Sequence, residues 1–93
     1  MLRISYARTA QKFLKNCPGK HCSQIVRKIE QLRTNPFPHD SIQMKGKAHE
    51  YRRVDIGEYR VIYRVEGQDL LITMVGRRND DAIYREFERA RKN

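Results

Sequence analysis

The second half of the chain alternates apolar and polar residues with the two-residue period of β-strands. Residues 51–56 and 59–65 show this alternation and predict two strands that are rich in β-branched and aromatic side chains. The apolar run 70–75 predicts a third strand that is covered on both faces. The Gly-containing pairs 57–58 and 67–68 predict tight turns between these strands, so we expect an antiparallel meander.

The first half of the chain shows helical spacing after one short strand. Residues 2–6 alternate and predict a half-buried strand. We expect one helix to begin near Thr9 and end at Pro18-Gly19, and a second helix to end before the Pro-rich segment 35–38. The apolar residues expected on one face of this helical hairpin are Ala10, Phe13, Leu14, Cys22, Ile25, Val26, Ile29 and Leu32.

A third helix is predicted over residues 80–91, where Ile83 and Phe87 are spaced one turn apart and can contact the sheet. Together the elements predict an α+β fold, with an N-terminal short strand and a two-helix hairpin packed on a small antiparallel β-sheet meander, followed by a C-terminal helix. A chain of 93 residues has room for one hydrophobic core, so we expect residues 1–93 to form a single domain.

The sheet face opposite the helical hairpin is predicted to be exposed and basic. In strand 59–65 every second residue is apolar and should meet the helices, which leaves Arg60, Ile62 and Arg64 on the other side. The other residues expected on or beside this face are Tyr51, Arg53, Asp55, Lys45, Lys47, Arg77, Arg78 and Tyr84. Such a face suits single-stranded RNA, because phosphates pair with arginine and unstacked bases lie on aromatic rings.

Net charge strengthens the prediction of a polyanionic partner. Twenty Lys and Arg residues against eleven Asp and Glu residues give a formal charge of +9. Residues 1–44 hold eight basic and two acidic side chains, a net +6, whereas residues 45–93 hold twelve and nine, a net +3. This charge favours nucleic acid, although acidic proteins and acidic membranes would also be attracted. No segment approaches the roughly 20 apolar residues of a membrane span and no signal peptide is evident, so we expect a cytoplasmic protein without a membrane partner.

The candidate chemistry on this face depends on arginine. Cleavage of RNA by its own 2′-hydroxyl needs proton removal, charge stabilisation at phosphorus and a proton for the leaving oxygen. Histidine often serves at neutral pH, but His21, His39 and His49 fall in a helix start and two loops. We find no Gly-rich phosphate loop, metal-binding carboxylate cluster or Ser/Cys/His nucleophile arrangement, and we predict no cofactor. Positioning and charge stabilisation by arginine forks remain.

Several motifs in this part of the chain resemble the RelE/ParE superfamily of type II toxins, most closely its RelE-like mRNA interferases. The matching stretches are MKG at 44–46, YRRVDIGEYRVIY at 51–63, VGRR at 75–78 and IY at 83–84. The resemblance covers roughly residues 42–87, and the preceding helical hairpin fits in layout. It implies a ribonuclease that uses no metal and cuts mRNA in the decoding site of the ribosome, where ribosomal RNA helps to hold the message.

The resemblance also implies roles for individual residues. Arg60 matches an arginine that grips the scissile phosphate, and Arg78 matches one that stabilises the phosphate and protonates the leaving group. Tyr84 matches a tyrosine that stacks on a base or orients the nucleophile, and Arg53 takes the first of two lysine positions. These four are the candidate catalytic residues. The candidate RNA contacts are Lys45, Lys47, Arg52 and Arg77.

Asp55 departs from the RelE pattern, because it stands where RelE has its second lysine. Arg53 is a poor base, since the pKa of arginine exceeds about 12. The sequence therefore leaves two interpretations of Asp55 open: it acts as the general base, or it pairs with Arg53 or Arg60.

Three functional classes follow from the residues and the resemblance. The first is a ribosome-dependent endoribonuclease, favoured by the arginines together with Tyr84. The second is a ParE-like inhibitor of DNA gyrase without catalytic activity, because such proteins share much of the strand pattern. The third is a non-toxic relative that binds RNA or an antitoxin. For a toxin, the high positive charge and the exposed cationic sheet predict an acidic antitoxin protein as partner, besides the ribosome with its mRNA.

Overall fold

A computed structural model describes residues 1–79 and 82–92, with side chains described up to Arg89. The elements, in chain order, are β1 Arg3–Tyr6, α1 Arg8–Lys15, α2 Gly19–Leu32, β2 Ser41–Gln43, β3 Arg52–Ile56, β4 Tyr59–Glu66, β5 Asp69–Arg77 and α3 Ala82–Lys92. The predicted α+β fold is confirmed. Of the predicted C-terminal helix 80–91, residues 80 and 81 lie outside the described residues. No helix in the described part of the chain is long and apolar enough to cross a membrane.

The five strands form one sheet in the order β1-β5-β4-β3-β2. The meander β3–β4–β5 is antiparallel, as predicted, with turns at Gly57 and Gly67, whose φ angles are +58° and +59°. Glycine suits these turns because other residues rarely adopt positive φ. β1 adds to the outer side of β5 in parallel orientation, so the complete sheet is mixed. β2 is an edge strand that pairs with β3 and was not predicted from the sequence.

The helical hairpin packs on one face of the sheet, where the larger core lies. The apolar residues of α1 and α2 meet those of β3, β4 and β5 in this core, whose buried members are Ala10, Ile25, Ile29, Leu32, Val54, Tyr59, Val61, Tyr63, Leu70, Ile72 and Val75. The Thr9 hydroxyl donates a hydrogen bond of 2.8 Å to the Thr73 carbonyl, which fastens α1 to β5. The Tyr63 hydroxyl donates to the Pro36 carbonyl at 2.7 Å and so satisfies its polar end in this core.

The opposite face of the sheet is covered in its middle by α3. Ile62 and Met74 are buried beneath Ile83 and Phe87, and the rings of Tyr51 and Phe87 meet edge to face at 4.8 Å between centroids. The predicted contacts of Ile83 and Phe87 with the sheet are therefore confirmed. The prediction that Tyr51 and Ile62 lie on an exposed face is wrong, because both are buried. Their apolar surface requires cover, and the apolar side of α3 supplies it.

Gly76 allows α3 to approach β5 closely. A Cβ atom built at Gly76 would lie 3.2–3.3 Å from three side-chain atoms of Ile83, which is tighter than ordinary van der Waals contact. The absence of a side chain at this point of β5 therefore sets how near Ile83 and its helix can come to the sheet.

Truncation of Phe87 tests how much α3 contributes to stability. Phe87 is 1% exposed, so Phe87→Ala should lower the free energy of unfolding by about 3 kcal/mol through lost apolar burial and a residual cavity. Urea denaturation measures this change. Phe37→Ala is the matched control: Phe37 is 60% exposed, and the same truncation there should cost less than about 1 kcal/mol. Equal losses in the two variants would contradict the described packing of α3.

Candidate functional site

An ion pair between Arg60 and Asp55 lies at the centre of the candidate site. The two residues face each other on β4 and β3, close to the turn at Gly57. The Arg60 Nε donates to Asp55 Oδ1 at 2.6 Å and the Arg60 Nη2 donates to Asp55 Oδ2 at 3.1 Å, which is a bidentate fork. The Arg60 side chain is 13% exposed and the Asp55 side chain is 38% exposed. Of the two interpretations of Asp55, the geometry thus supports the ion-pair partner of Arg60.

Tyr84 joins this pair from α3. The Arg60 Nη1 donates a hydrogen bond to the Tyr84 hydroxyl oxygen, and the Arg60 Cζ lies 5.8 Å from the centre of the Tyr84 ring. All three guanidinium nitrogens of Arg60 are therefore engaged. Since Ile83, the neighbour of Tyr84, is buried against the sheet, the packing of α3 determines where the phenol lies.

Arg53 and Arg78 complete a cationic cluster around Asp55. Arg53 is on β3, two residues before Asp55, and Arg78 follows β5, where its backbone N–H donates to the Glu58 carbonyl at 2.9 Å. The hydrogen bond from Arg60 is the main cause that lowers the pKa of Asp55, and the positive charges of Arg60, Arg53 and Arg78 lower this pKa further, against the effect of burial. In turn, the hydrogen bond to Asp55 raises the pKa of Arg60. Three cations and one carboxylate leave this arginine cluster with a net charge of +2.

The structure brings together the four residues predicted to be catalytic, Arg53, Arg60, Arg78 and Tyr84, on the face that carries α3. Lys45 and Lys47 lie in an exposed 3-10 turn before β3, whose neighbours Met44 and Ala48 pack against the core under α3. These two lysines therefore border the same face, as expected from the sequence.

Arg52 and Arg77 are placed on the other face of the sheet. Arg52 donates to the Ser41 hydroxyl at 3.0 and 2.9 Å and lies over the Phe37 ring, which fixes it against β2. Arg77 lies over the Tyr59 ring, beside a cleft of about 740 Å³ between α1 and α3. The sequence named both arginines as candidate RNA contacts and placed Arg77 beside the exposed face, but their positions in the strand alternation point them to the side of the helical hairpin.

Sequence reasoning missed the partners that hold two arginines in place. Arg64, which was predicted on the exposed face, pairs with Glu66 at 2.9 Å and with Glu50 at 3.7 Å. Arg78 is held through its backbone by the turn residue Glu58. The spacing of Arg64 and Glu66 on one strand is a signal for the first contact, whereas nothing in the local sequence indicates the second.

Among the described residues, neither a histidine nor a metal-binding group contributes to the arginine cluster. His21 packs 5.2 Å from the Tyr59 ring, and His39 and His49 lie in exposed loops, so the histidines are outside the arginine cluster. Within residues 1–79 and 82–89, His, Cys, Asp and Glu side chains form no group of three or more that could hold a metal ion.

Comparison with known proteins places this fold among bacterial and archaeal toxins. Residues 4–82 match the family model described as the ParE toxin of type II toxin-antitoxin system, parDE. The chain is similar to a chain of the RelB-RelE antitoxin-toxin complex from Methanococcus jannaschii, with 29% identity, a TM-score of 0.68, and coverage of 94% of this chain and 99% of that one. It is also similar to a chain of the archaeal RelE-RelB complex from Pyrococcus horikoshii OT3, with 25% identity, a TM-score of 0.72, and coverage of 84% and 96%.

The isolated E. coli RelE toxin shares the fold, with a TM-score of 0.75, 15% identity, and coverage of 96% of this chain and 97% of that chain. A search of curated proteins found no significant match.

The pH dependence of stability tests the ion pair. The folded-state pKa of Asp55 is lowered below its unfolded value of about 3.9, so the stabilisation by the pair is present above that value and is lost as pH falls through the folded pKa. A double-mutant cycle of Asp55→Asn and Arg60→Gln should give a coupling energy of about 0.5–1 kcal/mol near pH 7, since Asp55 is partly exposed. The coupling should decline as pH falls through the lowered folded-state pKa of Asp55. Urea unfolding at a series of acidic pH values measures it, and a coupling that stays constant across the whole series would contradict the assignment.

Proposed function

Since the chain belongs to the ParE toxin family of type II toxin-antitoxin systems, within the RelE/ParE superfamily, we propose that it inhibits translation as a ribosome-dependent endoribonuclease. In this proposal the toxin cuts mRNA in the decoding site: the RNA 2′-hydroxyl attacks the neighbouring phosphorus and loses its proton to water. The bond from phosphorus to the 5′-oxygen breaks, and Arg78 protonates that oxygen. The observation that carries the proposal is the arginine cluster, in which Arg60 and Tyr84 are in contact and Arg53 and Arg78 lie close enough to act on the same carboxylate.

The arginine cluster has the charge and the donor groups that such a reaction needs. A phosphate in mid-reaction accumulates negative charge, and fixed guanidinium groups stabilise it without reorganisation. Arg60 and Tyr84 are held by contacts within the fold, whereas the Arg78 side chain is exposed and free to reach an incoming phosphate. We assign Arg60 and Arg53 to phosphate binding, Arg78 to charge stabilisation and leaving-group protonation, and Tyr84 to stacking on a base or orientation of the nucleophile.

Asp55 is a weak base in this setting, because its pKa is lowered by Arg60 and a carboxylate with a low pKa binds a proton poorly. The proposed catalysis therefore depends mainly on charge stabilisation and on alignment of the RNA. An exposed cluster of this kind does not enclose its substrate, so we assign the alignment of the 2′-hydroxyl to the ribosome. The candidate RNA contacts Lys45 and Lys47 border this face. Arg52 and Arg77 lie behind it, where they would reach only RNA that passes the edge of the sheet.

A second candidate function is inhibition of DNA gyrase without catalysis. Two observations favour it: the matching family model is that of ParE, and the Arg60 fork is occupied by Asp55. Mapping of mRNA ends after brief expression separates the candidates, since a gyrase inhibitor damages DNA and leaves mRNA uncut. A non-toxic relative that binds RNA or an antitoxin would cause neither effect.

The proposed protein partner is an acidic antitoxin. The related chains from Methanococcus jannaschii and Pyrococcus horikoshii were solved in complexes of RelB with RelE. With a charge of +9, this chain would attract a partner that carries carboxylates. We further propose that the toxin acts in the cytoplasm, where mRNA and ribosomes are found.

Expression without a partner tests the activity. The protein should arrest growth, halt translation and leave mRNA with cuts in register with codons. Purified alone, it should cut naked RNA at least a hundredfold more slowly than ribosome-bound mRNA, because alignment of the 2′-hydroxyl is lost. The role of metal is tested by exchanging the magnesium for cobalt hexammine, because EDTA would dissociate magnesium-stabilised ribosomes. Cleavage should persist after this exchange. Activity that disappears on this exchange, or efficient cutting of naked RNA, would contradict the proposal.

Substitutions in the arginine cluster separate catalysis from binding. Arg78→Ala and Tyr84→Ala should each reduce cleavage by roughly 10²–10³-fold, while ribosome binding persists through the remaining Lys and Arg contacts. Charge reversal on α1, Lys12→Glu with Lys15→Glu, should instead weaken ribosome binding and reduce the slope of its salt dependence. Cleavage of ribosome-bound mRNA and sedimentation with ribosomes provide the two measurements. Full toxicity of the Arg78 and Tyr84 variants would rule out the catalytic assignment.

A further inference from the structure

We infer that the Asp55 carboxylate occupies the Nε–Nη2 edge of Arg60 and that an RNA phosphate must displace this carboxylate to bind the same edge. The inference rests on the proposed function in one respect, since it assumes that the ligand is an RNA phosphodiester. It gives Asp55 the role of a positioning residue that holds Arg60 in place and sets a threshold for phosphate binding.

The geometry of the fork leads to this inference. Asp55 takes Nε and Nη2 of Arg60 at 2.6 and 3.1 Å, and two parallel bonds of this kind are also how arginine holds two oxygens of a phosphate. Nη1 is bonded to the Tyr84 hydroxyl. A phosphate therefore cannot use the edge formed by Nε and Nη2 of Arg60 while Asp55 is in place.

The two partners differ in how easily each can move. The Arg60 side chain is 13% exposed and is held between Asp55 and Tyr84, whereas the Asp55 side chain is 38% exposed. Rotation of Asp55 towards water costs little because its carboxylate is already partly hydrated. Arg53 and Arg78 act on Asp55 electrostatically and can compensate its charge after it leaves Arg60. We therefore expect Asp55 to rotate away when a phosphate binds, while the Arg60 guanidinium keeps its position.

This exchange has a consequence for substrate selection. A free phosphate or a loosely bound RNA must replace an ion pair that is already formed, so it gains little by binding at Arg60. An RNA that is held nearby by other contacts presents its phosphate at a high effective concentration and can displace the carboxylate. Asp55 thus lowers affinity for unaligned RNA while keeping Arg60 oriented for RNA that is aligned.

Asp55→Asn tests this role, because asparagine keeps the size of the side chain and removes the competing charge. The probe is inorganic phosphate, with a diribonucleotide as a second probe, and binding is followed by the NMR resonance of the Arg60 Nε–Hε group. We expect affinity for both probes to rise about five-fold in Asp55→Asn. The matched control is Glu66→Gln, which makes the same change in charge and frees Arg64, on the same strand, from an ion pair of 2.9 Å. An affinity gain that is absent, or that is equal in the control, overturns the inference.

The unmodified protein provides a second measurement that does not depend on a variant. Saturation with phosphate should shift the Arg60 Nε–Hε resonance and the Asp55 carboxyl carbon resonance together. A shift of Arg60 while the Asp55 carboxyl resonance stays fixed would show that phosphate binds without displacement and would also overturn the inference.

Mapping of mRNA ends distinguishes this inference from the proposed function. If Asp55→Asn binds phosphate more tightly and neither protein cuts mRNA, the displacement of Asp55 is supported and the ribonuclease proposal fails. If the unmodified protein cuts mRNA but Asp55→Asn shows no gain in affinity, the ribonuclease proposal stands and the inference fails.

Discussion

The burial of Ile62 and Met74 beneath α3 is the contact on which the candidate site depends. Without it, Tyr84 would have no fixed place, and Arg60 would lose one of its two polar partners. The contact is small, because it is made chiefly by Ile83 and Phe87, and Gly76 lets the helix approach closely enough for these side chains to be fully enclosed. The helix α3 therefore has two roles: its apolar side covers the sheet, and its residue Tyr84 contacts Arg60 in the arginine cluster.

The arginine cluster poses an electrostatic difficulty that Asp55 resolves. Three guanidinium groups on one surface repel one another and favour conformations in which they separate. A carboxylate among them reduces this repulsion and fixes the direction of Arg60 in the absence of a ligand. A lysine at this position, as in RelE, would add a fourth positive charge instead. The charge arrangement of this cluster therefore differs from the one that the sequence resemblance implies.

The sequence predicted the strands, helices and turns well where local periodicity determines them. Residues 59–65 reveal β4 because they alternate, and Pro18 and Pro36 mark helix boundaries because proline restricts the backbone. β2 was missed because three residues are too few to show a period. The cover provided by α3 over Tyr51 was missed because it depends on a tertiary contact between distant segments.

The sequence predicted which residues lie together in the candidate site, but it did not predict the contacts between their side chains. The alternation in β3 and β4 placed Arg53, Asp55 and Arg60 on one face, and the structure agrees. Whether Asp55 would be a base or an ion-pair partner depended on side-chain geometry, which composition and spacing do not determine. Arg52 and Arg77 were named as candidate RNA contacts, although the same alternation directs them to the other side.

The parallel pairing of β1 with β5 joins segments from opposite ends of the sequence. Arg3 lies opposite Asp69, and the backbone N–H of Ala7 donates to the carbonyl of Ile72, so the first strand has no hydrogen-bonding partner until the fifth has been synthesised. The helical hairpin likewise covers strands that follow it in the chain, and such non-local contacts slow folding. During its own translation, the nascent chain therefore lacks its complete native sheet until β5 has emerged. The arginine cluster is incomplete over the same period, because Arg78 follows β5 in the chain.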